Sequence, residues 1–371
     1  MLPPDPHPLA ALLTASDELA QAGLLSRDSG PAGLSVTLVE RRNRTLLVTR
    51  DGGSGFAIKR APGSQVPSFL RDEAAILKYL WFADPAGATR WLPRLLAYDE
   101  DRDVMITGLF PQASDLGSYH ERVGRFPSWI GRAIGEALSW LHGLSLPQRT
   151  DSAVRVVAPL AIRLHEPTLE DYPDMSPANA RLIAIVQSRP GLIQALDELG
   201  RGWHGNALVH DDIRFDNVLA RARTRGASSL CIVDWEVAGF GDPAWDVGAA
   251  FAGYLETWIL SFPIARPDAL HRPEGEARHP LEAIKPAIRT MWRSYVAGSG
   301  LDEGAAGGFL RRSVLFCAAR LLQAAYERSE GQSELLGHDT LLVRVADNIV
   351  ARPEDAVSQL LGLLPEHWLA A

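Results

Sequence analysis

An aspartate and an asparagine stand five residues apart in Leu208-Val209-His210-Asp211-Asp212-Ile213-Arg214-Phe215-Asp216-Asn217-Val218-Leu219. A further carboxylate, Asp234, follows in Cys231-Ile232-Val233-Asp234-Trp235-Glu236, and an acidic tail in Gly241-Asp242-Pro243-Ala244-Trp245-Asp246. Apolar residues run into and out of each polar cluster, the pattern of buried strands that deliver side chains at their ends. An amide and two carboxylates of this kind can surround a metal-bound phosphate and an incoming hydroxyl, because hard oxygen donors suit magnesium. Isolated Asp-x-x-x-x-Asn is common, and an aspartate at a strand end often only caps a turn. His210 two residues upstream, the apolar flanks and the downstream Asp-Trp-Glu together lift this segment above that background.

The second piece of chemistry is a pair. Lys59 closes the apolar stretch Phe56-Ala57-Ile58-Lys59, and Glu73 lies fourteen residues later in Arg71-Asp72-Glu73-Ala74-Ala75-Ile76-Leu77-Lys78-Tyr79-Leu80, which reads as helix. A lysine at a strand end is ordinarily solvated. A helical glutamate can instead hold the ammonium in place against phosphate, with Asp72 the nearest competitor for that role.

These segments resemble the aminoglycoside phosphotransferase and choline kinase-like superfamily, itself protein kinase-like. Its loop reads His-Gly-Asp-x-x-x-x-Asn, and its metal aspartate commonly lies in Ile-Asp-Trp or Val-Asp-Trp-Glu. His210, Asp212, Asn217 and Asp234 match residue by residue, as do Asp242 and Asp246 of the Gly-Asp-Pro-x-x-Asp tail. One departure is Asp211, where the family usually has glycine and protein kinases carry arginine; the spacing to Asn217 selects Asp212 as the catalytic carboxylate. The resemblance implies a bilobal α+β fold, with a small antiparallel-sheet lobe and a large, mainly helical one. It also implies ATP and Mg²⁺ as cofactors and the following roles. Asp212 orients the acceptor hydroxyl and takes its proton. Arg214 stabilises charge on the transferring group. Asn217 and Asp234 hold Mg²⁺, and Lys59, fixed by Glu73, clamps the α/β-phosphates. Backbone groups at Gly108, Leu109 and Phe110 pair with the adenine edge, while His210 and Asp246 brace the loop.

The elements that must position these residues read as follows. Residues 8–25 form an amphipathic helix, within an N-terminal extension of 1–32. The small lobe, 33–110, holds five strands, at 34–39, 45–49, 56–59, 91–99 and 103–110. The turn Glu40-Arg41-Arg42-Asn43-Arg44 has no glycine, so Asn43 and its arginine neighbours would meet phosphate in place of a Gly-rich loop. The large lobe, 111–371, holds helices at 129–144, 177–199, 245–260, 281–298, 308–329 and 337–363, with Pro286 kinking or limiting the fourth of these. His142 reads as structural, and the acidic segment Glu166 to Asp174 as a solvated loop that could alternatively face a cationic acceptor.

Composition bounds the rest. Across 371 residues, 37 Lys+Arg against 45 Asp+Glu give a net charge of −8, which argues against general nucleic-acid binding. The two cysteines, Cys231 and Cys317, sit in apolar surroundings and read as buried free thiols. No apolar run reaches the ~18 residues of a membrane span, and no secretory signal is visible at the start, so the chain reads as cytoplasmic. There is no Gly-x-x-x-x-Gly-Lys-Ser/Thr loop of a generic ATPase.

The acceptor is open among an aminoglycoside, a choline-like or sugar alcohol, and a Ser/Thr hydroxyl of a peptide. Ile213 to Asn217, Val233 to Glu236, Gly241 to Gly248 and Tyr254-Leu255-x-x-Trp258 are similar to the phosphotransferase-type proteins of class V lanthipeptide and thioamitide pathways. That resemblance implies a ribosomally made precursor peptide as acceptor and a lyase partner that eliminates phosphate. A catalytically silent pseudokinase scaffold is the rival from another class. It would need none of Lys59, Glu73, Asp212, Asn217 and Asp234.

Overall fold

A computed structural model describes residues 8–26, 33–40, 44–51, 54–61, 69–145, 156–168, 175–222, 228–264 and 276–364. The chain has the expected α+β, kinase-like bilobal fold. Its two compact units are Met1–Asp115 with Gln148–Val154 and Val218–Ala238, and Leu116–Pro147 with Arg155–Asn217 and Gly239–Ala371.

The first unit is built on five antiparallel strands, β1 (Leu34–Glu40), β2 (Arg44–Arg50), β3 (Gly55–Arg60), β4 (Leu95–Asp99) and β5 (Val104–Gly108), in the order β1-β2-β3-β5-β4. Side chains alternate across a strand, so Leu46, Val48, Phe56, Ile58, Val104 and Ile106 line one face and are buried there with Ala11, Ala15 and Leu19 of α1 (Pro8–Gln21). The N-terminal helix is thus a layer of this unit's core and stops at Gln21, with Gly23 turning the chain at φ 69°. Glu18, buried on the same helix, is met by Arg102 at 2.7 Å and Arg60 at 3.6 Å. The same alternation sends Lys59 to the opposite face from Ile58. That is where α2 (Phe69–Ala83) presents Leu70, Glu73, Ala74 and Leu77 at helical spacing.

Two local expectations shift. Trp91 ends a short helix, α3 (Pro85–Trp91), because Asp84 caps the Ala86 N–H and proline suits the first helical position; β4 then begins at Leu95. The hairpin of β8 (Val218–Arg221) and β9 (Ser229–Ile232) groups with the first unit, where the sequence reading had everything after residue 110 in the second. The cause is pairing: β8 continues onto β6 (Ser114–Asp115), with Ser114 opposite Ala220.

The second unit holds α4 (Leu116–Val123), α5 (Ser128–His142), α6 (Pro177–Gln187), α7 (Pro190–Arg201), α8 (Pro243–Leu260), α9 (Leu281–Ser299), α10 (Glu303–Arg328) and α11 (Gly337–Ala351). A two-stranded ribbon pairs β7 (Ala207–Val209) with β10 (Gly239–Gly241). The expected helix over 177–199 is two helices. Pro190 opens the second, and the residue before a proline is driven out of helical conformation, as Arg189 is at φ −116° and ψ 92°. Pro286 does not end α9, which runs on to Ser299. Helix α5 lies backbone to backbone on α9. A Cβ on Gly131 would sit 2.1 Å from the Ala287 carbonyl oxygen, and one on Gly135 2.2 Å from that of Met291. Both cysteines are buried free thiols, as expected. No helix among the described residues is long and apolar enough to cross a membrane.

Candidate active site

The site residues expected from the sequence fall into two clusters, each within one unit. In the first, the Lys59 ammonium donates to both oxygens of Glu73 at 2.8 Å and also bonds Asp234. Glu73 is 2% exposed, on the apolar face of α2, and its Oε1 takes the Trp235 N–H at 3.3 Å. One carboxylate therefore fixes both the lysine and the backbone beside Asp234. Asp234 itself stands at φ 70°, a left-handed conformation that aspartate tolerates better than most residues. Burial works against the Lys59 charge, but Glu73 and Asp234 outweigh it and raise the pKa. Burial pushes Glu73 up as well, helped by Asp234 and opposed by Lys59. Of the two acidic candidates the ammonium takes Glu73, which helical spacing puts on the buried face of α2.

At the end of β5, the Gly108 N–H donates to the Arg94 carbonyl at 2.8 Å and the Leu109 N–H to that of Gly55 at 3.0 Å. These two amides are spent inside the protein, which narrows the expected adenine contacts to carbonyls of this stretch and to Phe110. The Phe110 ring carries the Arg221 guanidinium at 4.7 Å. Asn43 lies outside the described residues.

In the second cluster, Asp246 is 0% exposed and organises the loop that follows β7. Its oxygens accept the backbone N–H of His210 at 2.8 Å and of Asp211 at 3.1 Å, and His142 Nε2 lies at 3.2 Å. His142 in turn meets the Tyr295 hydroxyl at 3.1 Å through Nδ1, so α5, α8 and α9 share one polar junction. Asp211 adopts φ 67°. That is the conformation a glycine takes without strain, which explains the family's usual residue there. Here the Asp246 bond and a bond from Trp245 Nε1 to the Asp211 carbonyl at 2.9 Å hold the position instead. Burial raises the Asp211 carboxyl well above its ordinary range, with Asp246 and Asp212 adding to the shift and Arg320 opposing it.

Asp212 donates its N–H to His210 Nδ1 at 3.3 Å. Asn217 spends its NH₂ on Asp212, bonding the main-chain oxygen at 3.1 Å and Oδ2 at 3.0 Å. Its remaining polar side-chain atom is the amide oxygen. An amide oxygen is a hard donor of the kind Mg²⁺ takes. Arg214, 37% exposed, is engaged by Asp216 at 3.0 Å and Glu327 at 3.3 Å. Asp242 caps α8 through the Ala244 N–H at 3.0 Å and binds Arg312. Two residues here escaped the sequence reading. Arg320 of α10 reaches Asp212 Oδ1 at 4.0 Å, and Glu327 ties Arg214 to Arg320.

Beneath the loop, Phe215 packs edge-on to Tyr254 with ring centroids 5.0 Å apart, and a Cβ on Gly253 would strike its ring at 2.7 Å. His120 completes this layer, 5.7 Å from Phe215 and 0% exposed. Burial pulls its pKa from 6.5 to about 4, although its bond to the Arg125 carbonyl opposes the shift. The folded value lies below the unfolded one, so the associated stability is present above pH 6.5 and lost as pH falls toward 4. Urea unfolding should show a loss of roughly 3 kcal/mol over that window, and His120→Phe should flatten it.

The family model described as "Phosphotransferase enzyme family" matches residues 37–283. Among solved structures the chain is similar to choline kinase from Cryptosporidium parvum Iowa II, at 11% identity over 95% of this chain and 98% of that one, with a TM-score of 0.54. It is similar to macrolide 2'-phosphotransferase from Brachybacterium faecium, at 15% identity over 92% and 98%, with a TM-score of 0.52. A GDP complex of an aminoglycoside 2'-phosphotransferase gives 16% identity over 94% and 99%, with a TM-score of 0.52. At such identities the likeness is one of fold. A segment of 123 residues is 31% identical to acyl-CoA dehydrogenase family member 10 of Mus musculus, and covers 33% of this chain and 10% of that protein. The chain thus spans about a tenth of the length of that curated relative.

Proposed function

Because this chain belongs to the phosphotransferase enzyme family and is an O-phosphotransferase, we propose that it moves the γ-phosphate of ATP, with Mg²⁺, to a Ser/Thr hydroxyl of a ribosomally made precursor peptide. The observation that carries the phosphoryl-transfer reading is the state of Lys59. A lysine at a strand end would ordinarily be solvated, yet this one is half-buried and bonded by two carboxylates.

Phosphoryl transfer asks little covalent work of a protein; positioning and charge neutralisation dominate. Lys59, held by Glu73, grips the α/β-phosphates. Asn217 and Asp234 are the residues that would hold Mg²⁺, which when bound neutralises charge spread over the phosphates. Asp212 receives the acceptor hydroxyl as a hydrogen bond and takes its proton as the O–P bond forms and the bond to the leaving nucleoside diphosphate breaks. Its carboxylate is presented for this by Asn217. Arg214 places its charge near the transferring group. Arg214→Ala should lower kcat more than it weakens nucleotide binding, and unchanged steady-state kinetics would leave Arg214 as a surface ion pair only.

The peptide acceptor is supported by the sequence resemblance around residues 213–258 and by the balance of charge near the loop. A polycationic drug needs carboxylates left for it, whereas Asp216 and Glu327 are already paired with Arg214 and Arg320. The reading includes a lyase partner that removes the phosphate. The test is mass spectrometry of acceptors incubated with ATP and Mg²⁺. Phosphate gain on a Ser/Thr peptide, or loss of water when a lyase is added, is expected. Gain on kanamycin alone would replace the peptide with an aminoglycoside, and no ATP-dependent gain on any acceptor would return the scaffold reading.

A further inference from the structure

Arg320 is an arginine that helix packing alone does not account for. It is 4% exposed, in the middle of α10. Its Nη2 lies 3.2 Å from Glu327 Oε2 and 4.0 Å from Asp212 Oδ1. Its Nη1 is buried with no hydrogen-bond partner. Taking a guanidinium out of water is costly, and replacing a whole buried ion pair by well-packed apolar residues is often neutral or stabilising. The role of a charge buried at that cost is read from what it faces.

What it faces is the catalytic loop. Two turns along the same face of α10, Glu327 takes Arg320 and Arg214 on one oxygen and Gln323 at 2.9 Å on the other. Arg214 passes on to Asp216 at 3.0 Å. The contacts therefore run Asp212, Arg320, Glu327, Arg214, Asp216, leaving the loop at one residue and returning at another. Burial disfavours the Glu327 charge, but Arg320 and Arg214 outweigh it and hold the carboxyl low, so the chain of charges stays ionised. The two oxygens of Asp212 have different neighbours: Asn217 bonds Oδ2, and Arg320 approaches Oδ1. Beside them Asp211 adds a second carboxylate whose Oδ1 is buried without a partner. Arg320 is a cation on the side of both carboxyl groups and opposes the upward shift of Asp211.

We propose that Arg320 is a positioning residue for phosphoryl transfer, holding the Asp212 carboxylate through the oxygen that Asn217 leaves, with Glu327 as its anchor. This rests on Asp212 being the group that receives the acceptor's proton. A carboxylate free to rotate by even an ångström away from the hydroxyl loses turnover on the order of 10²-fold.

The experiment is steady-state kinetics on the full chain for Arg320→Met, Arg320→Lys and Asp212→Ala, and for Arg320→Met combined with Asp212→Ala. Arg320→Met should lower kcat roughly 10–100-fold with the nucleotide KM within about twofold. Arg320→Lys should restore most of that, because a cation remains. In the Asp212→Ala background Arg320→Met should cost nothing further, since no carboxylate is left to position. An equal loss in both backgrounds, or a normal kcat in Arg320→Met, overturns the proposal. Should Arg320→Met not fold, Glu327→Gln keeps the shape while releasing the anchor, and a kcat unchanged in that variant overturns it equally. If Asp212→Ala itself turns over normally, the base assignment falls; if it is inactive while Arg320→Met is normal, only the positioning role falls.

Discussion

Asp212→Ala should lose about 10²–10⁴-fold in turnover while binding nucleotide as before. The side chain makes few contacts that the fold needs. The Asp212 N–H still reaches His210, and Asn217 still has the Asp212 main-chain oxygen at 3.1 Å. What goes is one hydrogen bond to Oδ2 and one long ion pair to Arg320, worth together about 1–2 kcal/mol in stability. A thermal midpoint within a few degrees of the parent, nucleotide affinity intact and turnover collapsed would separate chemistry from folding. Asp212→Asn sharpens the comparison, because the amide keeps the shape and loses the basic oxygen. Near-normal turnover in either variant would overturn the assignment and would move the proton to another acceptor. Asp211 is not a ready substitute. Its backbone is locked at φ 67° by Asp246 and Trp245, and burial keeps its carboxyl hard to ionise.

The pattern of these residues explains how much could be read without coordinates. The loop from His210 to Asn217 was legible because its partners are close in sequence: Asn217 closes on Asp212 across five residues, and His210 on Asp212 across two. The pairing of Lys59 with Glu73 was legible for a related reason. Strand alternation and helical spacing each fix one face, and the two faces meet. Arg320 was not legible, because nothing local distinguishes it from the other arginines of α10; only the fold brings it to Asp212. The same holds for α1, whose spacing announces an apolar face but not that Ala11, Ala15 and Leu19 would close the core of the sheet. At 190 the local rule was present and outweighed by apolar periodicity in the reading; proline's missing N–H and its restriction on Arg189 decided the break. Glycine at the position of Asp211 is a backbone requirement, so its replacement is understood only once φ and the bonds around it are known.

Lys59→Met should abolish useful activity and destabilise the chain, and the two effects should come apart in a second variant. Removing the ammonium leaves Glu73, 2% exposed, beside Asp234 without a counter-charge. Breaking a buried pair from one side costs about 3–5 kcal/mol. Burial already raises the Glu73 pKa, and loss of Lys59 raises it further above the unfolded value of 4.5. A group raised on folding contributes stability below the unfolded pKa and loses it as pH rises through the folded one. Lys59→Met should therefore be closest to the parent in urea at acid pH and fall behind toward neutrality. Lys59→Met with Glu73→Gln removes the stranded charge while keeping an oxygen for the Trp235 N–H, now at 3.3 Å from Glu73. Stability should recover most of the loss, since neutralising both partners of a buried pair is far cheaper than removing one. Turnover should not: a fixed cation on the phosphates is worth on the order of 10²–10³-fold, and no neutral pair replaces it. If the double variant regained activity along with stability, Lys59 would be a structural ion pair and the phosphates would be held by something else. Recovery of folding with turnover still absent is the outcome that ties this lysine to the nucleotide.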